Sequence, residues 1–419
     1  MSSTHVLRNI ESTLIETLAD TPVTVLQGAR QVGKSTLSSM VSGNINSRSL
    51  TFDSNLTLQT AKNNPIEFAS QYPEGLLIVD EIQKCPEFLS AIKYVVDLNR
   101  RPGMFLITGS ANILSLRDSN ESLAGRAETI ILEPFSIGEL NGFKEDFVSS
   151  LTKGSILNKL QEATPLSREE YSALLVRGGY PDAQKRVGRR LDAFFENYLI
   201  RVLDHDANEL SGLAHIDRLH TIFKILAANP SQIYVNANFA REVRIPESSM
   251  RGYIKLLEDL CLIKVLPAWG KNISKRAQSR PKVIVSDTGV ASNLNDYSKD
   301  FLAHIENGNA LGSIFEAFIL AEILKQQTWS DTSFTPYHFR DKDGKEVDLI
   351  LELRTGEIIA IEVKAASSFT KKDFAGMQLL REMLGGKFLC GILLYTGTEI
   401  LPIGDKLFCA PASAIWQLA

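Results

Sequence analysis

The sequence has 419 residues, 44% of them hydrophobic and 22% charged. That is chain enough for roughly two to four domains with separate cores, and the balance excludes a low-complexity or disordered polymer. The net charge of −4 excludes an overall positive field, so any contact with nucleic acid must come from a local patch. Cys85, Cys261, Cys390 and Cys409 are far apart and lack metal-type spacing, which predicts a reducing, cytoplasmic compartment.

Residues 1–20 predict an amphipathic helix, with Val6, Leu7, Ile10, Leu14, Ile15 and Leu18 on one broad face. Arg8, Glu11 and Glu16 interrupt the apolar residues, so this is no signal-peptide core, and no later run is long and apolar enough to predict a membrane span. Val23, Val25 and Leu26 read as a buried strand. The next eight residues, Gly28-Ala29-Arg30-Gln31-Val32-Gly33-Lys34-Ser35, fit G-x-x-x-x-G-K-[ST] at every fixed position, and a helix-like run from Thr36 to Val41 follows, as the motif requires. Glycines let the backbone turn several N–H groups toward phosphates, and the helix start adds partial positive charge. Lys34 is expected to reach the β- and γ-phosphates and the Ser35 hydroxyl to hold Mg²⁺. The expected ATP-binding set is therefore Gly28, Ala29, Arg30, Gln31, Val32, Gly33, Lys34, Ser35 and Thr36, with Asp80 added from the strand that follows.

Leu50-Thr51-Phe52-Asp53 predicts a second strand, and Pro65 opens another helix. Leu76-Leu77-Ile78-Val79 then makes a short apolar strand ending in Asp80-Glu81, as a buried parallel strand with a site at its carboxyl end should. Asp80 is expected to hold magnesium and Glu81 to polarise the attacking water; the plainer alternative is a carboxylate pair capping a helix. A helix over 83–96 and an apolar strand over 104–107 follow, the strand ending in Thr108-Gly109-Ser110-Ala111-Asn112. A polar residue there is placed to sense the γ-phosphate, with Asn112 the first choice and Ser110 the second. Arg126, just ahead of a strand over 129–132, stands where an oligomeric ATPase would place a finger contributing about 10³ to 10⁵ in rate. Its alternative is an arginine closing a helix C-terminus.

These residues resemble a known family. Gly28 to Ser35, Asp80-Glu81-Ile82-Gln83-Lys84-Cys85-Pro86, Thr108-Gly109-Ser110, Leu123-Ala124-Gly125-Arg126, Pro134-Phe135-Ser136 and Gly178-Gly179-Tyr180-Pro181 are similar to the bacterial and archaeal AAA-like ATPases that carry a winged-helix segment and a C-terminal nuclease-like domain. The resemblance spans nearly the whole chain. It implies an α/β fold with a parallel sheet flanked by helices, nucleotide use, and that order of domains. The charged helical pattern over 137–214 resembles the lid that follows such a core, with Arg177 and Arg201 as further candidate sensors that spacing does not single out.

Beyond the lid, Ile216, Leu219, Ile222, Phe223, Ile225 and Leu226 recur at helical spacing. A short helix over 238–243, a turn at Arg244-Ile245-Pro246, a helix over 247–260 and wing strands over 262–266 and 283–285 predict a winged helix-turn-helix. Lys271, Lys275, Arg276, Arg280 and Lys282 fall in a stretch without an acid, and Arg251 and Lys255 add exposed positive charge. This segment, over 247–282, and the C-terminal domain are the expected nucleic-acid surfaces, with DNA the expected partner; a protein or interdomain surface is the alternative. Five phosphate contacts predict an affinity falling with salt at a log–log slope of about −4 to −5.

In the last domain a helix over 312–320 contains the single acid Glu316, and strands over 347–351 and 358–364 carry Asp348, Glu362 and Lys364. Glu362 and Lys364 share one strand face. The arrangement is similar to PD-(D/E)XK nucleases, in which two carboxylates hold Mg²⁺ or Mn²⁺ and the lysine helps to make hydroxide available. Glu316 is expected to complete the metal shell, with Lys364 catalytic and Gln378 orienting substrate. Val347 stands where that family has proline, and a same-face ion pair between Glu362 and Lys364 is the plainer alternative. The expected domains are an ATPase core over 1–136, a lid over 137–214, a winged helix over 215–295 and a restriction-endonuclease-like α/β domain over 296–419. Two functional readings stay open: an ATP-coupled, metal-dependent phosphodiesterase, and an ATP-gated binding switch with an inactive nuclease-like fold; Arg126 as a finger would require a homo-oligomer.

Overall fold

Aliphatic runs too short for helices become the middle of a parallel sheet. In the computed structural model, which describes residues 6–43, 45–109, 123–210, 216–270 and 280–419, the chain divides into two units. One is Met1–Phe135 with Asp259–Cys261, the other Ser136–Glu258 with Leu262–Ala419.

The first unit holds β1 (Val23–Gln27), β2 (Ser47–Thr51), β3 (Leu76–Asp80), β4 (Phe105–Gly109) and β5 (Ala127–Ile131). Their order is β2-β3-β4-β1-β5, and every pairing is parallel. The three central strands are buried nearly throughout, because helices cover both faces of such a sheet. β2 lies at an edge, which is why Ser47, Arg48 and Ser49 are tolerated in it; it begins three residues before the apolar pattern suggested. Among the described residues five helices, α1 (Glu11–Asp20), α2 (Lys34–Ser42), α3 (Asn55–Asn63), α4 (Pro65–Ser70) and α5 (Phe88–Leu98), accompany the sheet. Phe52, Phe68 and Phe88 meet with ring centroids 5.4–6.1 Å apart and anchor one side of the core.

Two helices are shorter than expected. α1 starts at Glu11, with the described residues before it taking another path. The helix expected over 83–96 is a single tight turn, Ile82–Lys84, followed by α5. Pro86 has no N–H to donate and disfavours helical backbone at the residue before it, and Cys85 accordingly leaves the helical region.

The second unit begins with short helices, then Arg168–Arg177 and Arg189–Ile200, the latter running into a π-helical turn at Arg201–Asp206. Helices Arg218–Ala228, Asn236–Val243 and Glu247–Asp259 accompany β6 (Ser231–Ile233), β7 (Ile263–Leu266) and β8 (Lys282–Val285). These strands form an antiparallel sheet in the order β6-β8-β7; β6 was not anticipated. The long helix Gly308–Gln326 precedes β9 (Phe334–Arg340), β10 (Glu346–Leu353), β11 (Ile358–Lys364), helix Ala375–Leu384, β12 (Phe388–Tyr395), β13 (Leu401–Gly404) and β14 (Leu407–Pro411). Their sheet has the order β13-β14-β12-β11-β10-β9. Apolar residues line both faces of β11, where Ile359, Ala360, Ile361 and Val363 are all buried, so Glu362 enters a site already stripped of water. Among the described residues no helix is long and apolar enough to cross a membrane.

Candidate functional site

The turn between β1 and α2 is shaped by its glycines. Gly28 has φ 157°, and a Cβ there would overlap the Leu132 carbonyl oxygen. Gly33 has φ 101° and forms the N-cap of α2, a backbone that a side chain opposes. Gln31 also takes a positive φ of 63°. Lys34 is buried, and its ammonium donates to the carbonyls of Gly28 and Ala29, both at 2.9 Å. Burial lowers its pKa, against the pull of Glu81 and Asp80.

The tip of β3 meets this loop. The Ser35 hydroxyl donates to one oxygen of Asp80 at 2.9 Å, and the Thr108 hydroxyl donates to the other. Both carboxylate oxygens are thus fixed by hydroxyls from α2 and β4. A Ser–Asp oxygen pair suits Mg²⁺, which prefers hard oxygen ligands, and these are the residues that would hold it. Next to them Glu81 takes left-handed backbone, φ 60°, ψ 44°, uncommon for a residue with a Cβ and typical of functional turns. Its carboxylate accepts from the Gln83 amide. Burial and then Asp80 raise its pKa.

The C-terminal carboxylates also converge, but around a lysine. Leu349 of β10 faces Ile361 of β11, and one step on, Asp348 Oδ2 accepts from the Val363 N–H at 3.0 Å. Glu316 Oε1 accepts from Ser231 Oγ at 2.8 Å. The Lys282 ammonium, 8% exposed and at the start of β8, lies 2.5 Å from Glu316 Oε1 and 3.2 Å from Asp348 Oδ1. Burial works to lower its pKa, but Asp348 and Glu316 carry it above the ordinary lysine value. Lys364 reaches Glu362 Oε1 at 3.4 Å and Asp373 at 3.6 Å, which is the same-face ion pair rather than a contact with Asp348. Burial and Asp348 push Glu362 up to about 9, and burial and Asp348 push Glu316 up to about 7. Among the described residues no three His, Cys, Asp or Glu side chains are grouped to hold a metal ion. The expected Glu316–Asp348–Glu362 metal shell therefore does not fit a divalent ion as it stands: Lys282 supplies the positive charge. The same finding corrects the reading of Lys282 as a phosphate contact.

Known proteins share these segments. The family model described as "AAA domain" matches residues 20–141. Residues 20–141 are therefore similar to an AAA domain, and the phosphate-loop motif lies within them. Residues 168–300 and 311–415 match two domains of unknown function, DUF8612 and DUF4143. Uncharacterized proteins of Mycobacterium bovis and Mycobacterium tuberculosis are each 26% identical over 414 residues, covering 97% of this chain and 84% of theirs. Among solved structures, the Walker-type ATPase of Pyrococcus abyssi is similar at a TM-score of 0.39 and 16% identity, covering 69% of this chain and 95% of that one. A signal transduction ATPase with numerous domains and a tetratricopeptide repeat sensor, from Pyrococcus horikoshii, is similar at 0.27 and 12% identity, covering 78% and 47%.

In the P-loop domain the expected loop, Ser35, Asp80 and Glu81 come together. The sensor choices Asn112 and Ser110 lie outside the described residues, as do Lys271, Lys275 and Arg276. Arg126 precedes β5 at the amino ends of the strands, where the Val23 N–H donates to its carbonyl, away from the P-loop. Its guanidinium is held by Asp97 at 2.5 and 2.9 Å and by the Ala124 carbonyl. This ion pair within the chain differs from the helix-closing contact of the plainer alternative. Arg177 and Arg201 are exposed.

Sequence reasoning missed two residues here. Thr108 is a fully buried hydroxyl at the tip of β4; its place at a strand end was the available signal. Arg8 is 7% exposed and donates to the Val32 carbonyl at 3.0 Å and the Glu133 carbonyl at 2.6 Å, with its guanidinium 4.6 Å from the Phe135 ring centre. It ties the N-terminal segment to the phosphate loop.

Proposed function

We propose that the chain is an ATP-hydrolysing switch whose nucleotide state controls nucleic-acid binding by the remainder of the chain. The observation that carries the reading is the Asp80 carboxylate gripped by Ser35 and Thr108 beside the buried Lys34. Lys34 and the loop N–H groups would hold the phosphates, Ser35 and Asp80 would hold the Mg²⁺ that shields phosphate charge, and Glu81 would take a proton from the attacking water. ATP turnover in the wild type, Lys34→Ala and Glu81→Gln tests it: both variants should lose turnover, with binding kept only in Glu81→Gln. Turnover persisting in Lys34→Ala would remove the site.

The nucleic-acid half rests on the three helices and the β6-β8-β7 sheet, an order of elements that suits a winged helix-turn-helix, and on exposed Arg251, Lys255 and Arg280. With Lys282 committed to the acid cluster, the four remaining cations of the basic segment predict a salt slope of about −3 to −4 for DNA. Binding without salt dependence would leave a protein surface as the better account. For the C-terminal domain, whose helix and mixed sheet suit a restriction-endonuclease-like fold, we favour holding over cutting because Lys282 sits among the acids. The cleavage reading keeps one point in its favour, since Glu362 Oε2 is buried without a hydrogen-bond partner. Cleavage by wild type that is lost in Glu362→Ala would establish that second reading.

A further inference from the structure

We propose that Lys282 is the resident cation of the C-terminal acid cluster, so that the site is closed to divalent metal and becomes a metal site only when the ammonium is removed. The proposal rests on reading this domain as nuclease-like. Two acids hold the lysine directly, Glu316 from the long helix and Asp348 from β10, and a third, Glu362 from β11, lies near enough to feel the charge of both. Divalent ions take such oxygens at about 2.0–2.6 Å. Here Lys282 Nζ stands 2.5 Å from Glu316 Oε1 and 3.2 Å from Asp348 Oδ1, so a metal bridging the same oxygens would be pressed against a buried positive charge. The remaining donors are partly committed as well, because Asp348 Oδ2 takes the Val363 N–H and Glu362 Oε1 faces Lys364.

Two observations separate this from an ordinary surface ion pair. First, the lysine is delivered by fixed backbone. In β8 it pairs with Ile233 of β6 and with Leu266 of β7. The neck of the β7–β8 hairpin is tied to β9 as well: the His338 ring bonds the Arg280 carbonyl at 2.9 Å, the His338 N–H donates to the Pro267 carbonyl at 3.0 Å, and the Trp269 N–H donates to the His338 carbonyl at 2.6 Å. Second, Glu362 is 6% exposed and its Oε2 has no hydrogen-bond partner. A buried carboxylate oxygen without a donor is a costly feature, and it is the oxygen that a cation would satisfy once Lys282 is gone. Lysine thus joins the small sheet to the larger one with the charge that a metal would otherwise supply.

Mn²⁺ binding to the full chain without nucleotide, read by electron paramagnetic resonance, tests this. Wild type and Glu362→Gln should bind Mn²⁺ alike. Lys282→Met should gain one site, and Lys282→Met with Glu362→Gln should lose it again; Lys282→Arg, which keeps the charge, should gain none. The thermal midpoint of Lys282→Met should rise with Mn²⁺ while that of wild type does not, since a ligand held only by the folded state stabilises it. If Lys282→Met does not fold without metal, its recovery on adding Mn²⁺ counts as the gained site, and Lys282→Gln supplies the same comparison if no recovery occurs. A wild-type Mn²⁺ site abolished by Glu362→Gln overturns the proposal, as does the absence of a new site in folded Lys282→Met or Lys282→Gln. ATP binding measured on the same preparations reports separately on the switch, so loss of either reading is distinguishable from loss of the other.

Discussion

Arg8→Ala probes the most consequential contact outside the phosphate loop's own motif. The guanidinium makes two hydrogen bonds, to Val32 at 3.0 Å and to Glu133 at 2.6 Å. Hydrogen bonds to a charged group contribute about 1.5–3 kcal/mol each, and the approach to Phe135 about 0.5–2 kcal/mol. These terms share one side chain and do not simply add. A loss of about 3–5 kcal/mol follows, and the buried carbonyls left without a donor keep it near the upper end. For a unit of this size that is a fall on the order of 10 °C in the midpoint of the P-loop domain. Because Val32 immediately precedes Gly33, the loop loses an anchor too, and ATP affinity should weaken by about tenfold, equivalent to about 1.4 kcal/mol. The chain has more than one unit and is not expected to unfold in one step, so the transition shifted by ATP is the one to follow, with calorimetric titration for affinity. Leu7→Ala is the control, since Leu7 is 72% exposed and should change neither quantity. Unaltered melting and ATP affinity in Arg8→Ala would refute the reasoning.

Three further substitutions read other parts of the structure. Gly28→Ala should abolish ATP binding or the fold of the P-loop domain, because its methyl group overlaps the Leu132 carbonyl; an equilibrium titration showing wild-type affinity would contradict this. Thr108→Val removes the hydroxyl on Asp80 while keeping the shape, and should lower ATP turnover by about tenfold or more through loss of a hydrogen bond to a charged group, with ATP binding little changed; equal kcat would show that Asp80 does not need it. Glu145, pushed up to about 8 chiefly by burial, stays protonated in the folded chain across a range where the unfolded chain has released its proton. Its contribution therefore falls as pH rises from about 4.5 to about 8 and is level above that, so Glu145→Gln should gain stability relative to wild type across this window, read from urea midpoints at pH 5, 7 and 9. A difference between the two that is constant with pH would contradict the assignment.

The legible part of the molecule is the part encoded locally. Gly28, Gly33, Lys34 and Ser35 are fixed by one turn between a strand and a helix, and Asp80 is recognisable because an apolar strand ends there. The two strands carrying Asp348 and Glu362 were legible for the same reason, as short apolar runs, although both of their faces turn out to be buried. What sequence spacing did not reveal are contacts made through space. Arg8 reaches Val32 and Glu133 across 24 and 125 residues, and Lys282 reaches Glu316 and Asp348 across 34 and 66. In a linear reading Lys282 belongs with its basic neighbours, whereas the sheet turns it toward the acids. Arg126 is a further case: its position suggested a reach to a neighbouring subunit's nucleotide, whereas it pairs with Asp97, 29 residues away in its own chain.

The central claim is that Lys34, Ser35 and Asp80 build one Mg²⁺-dependent nucleotide site, and the most direct measurement is ATP binding to the purified full chain titrated with and without Mg²⁺. The account predicts that Mg²⁺ strengthens ATP binding in wild type, that Asp80→Asn loses this enhancement, and that Lys34→Ala loses the binding itself. ATP affinity that is indifferent to Mg²⁺ and to both substitutions would contradict it.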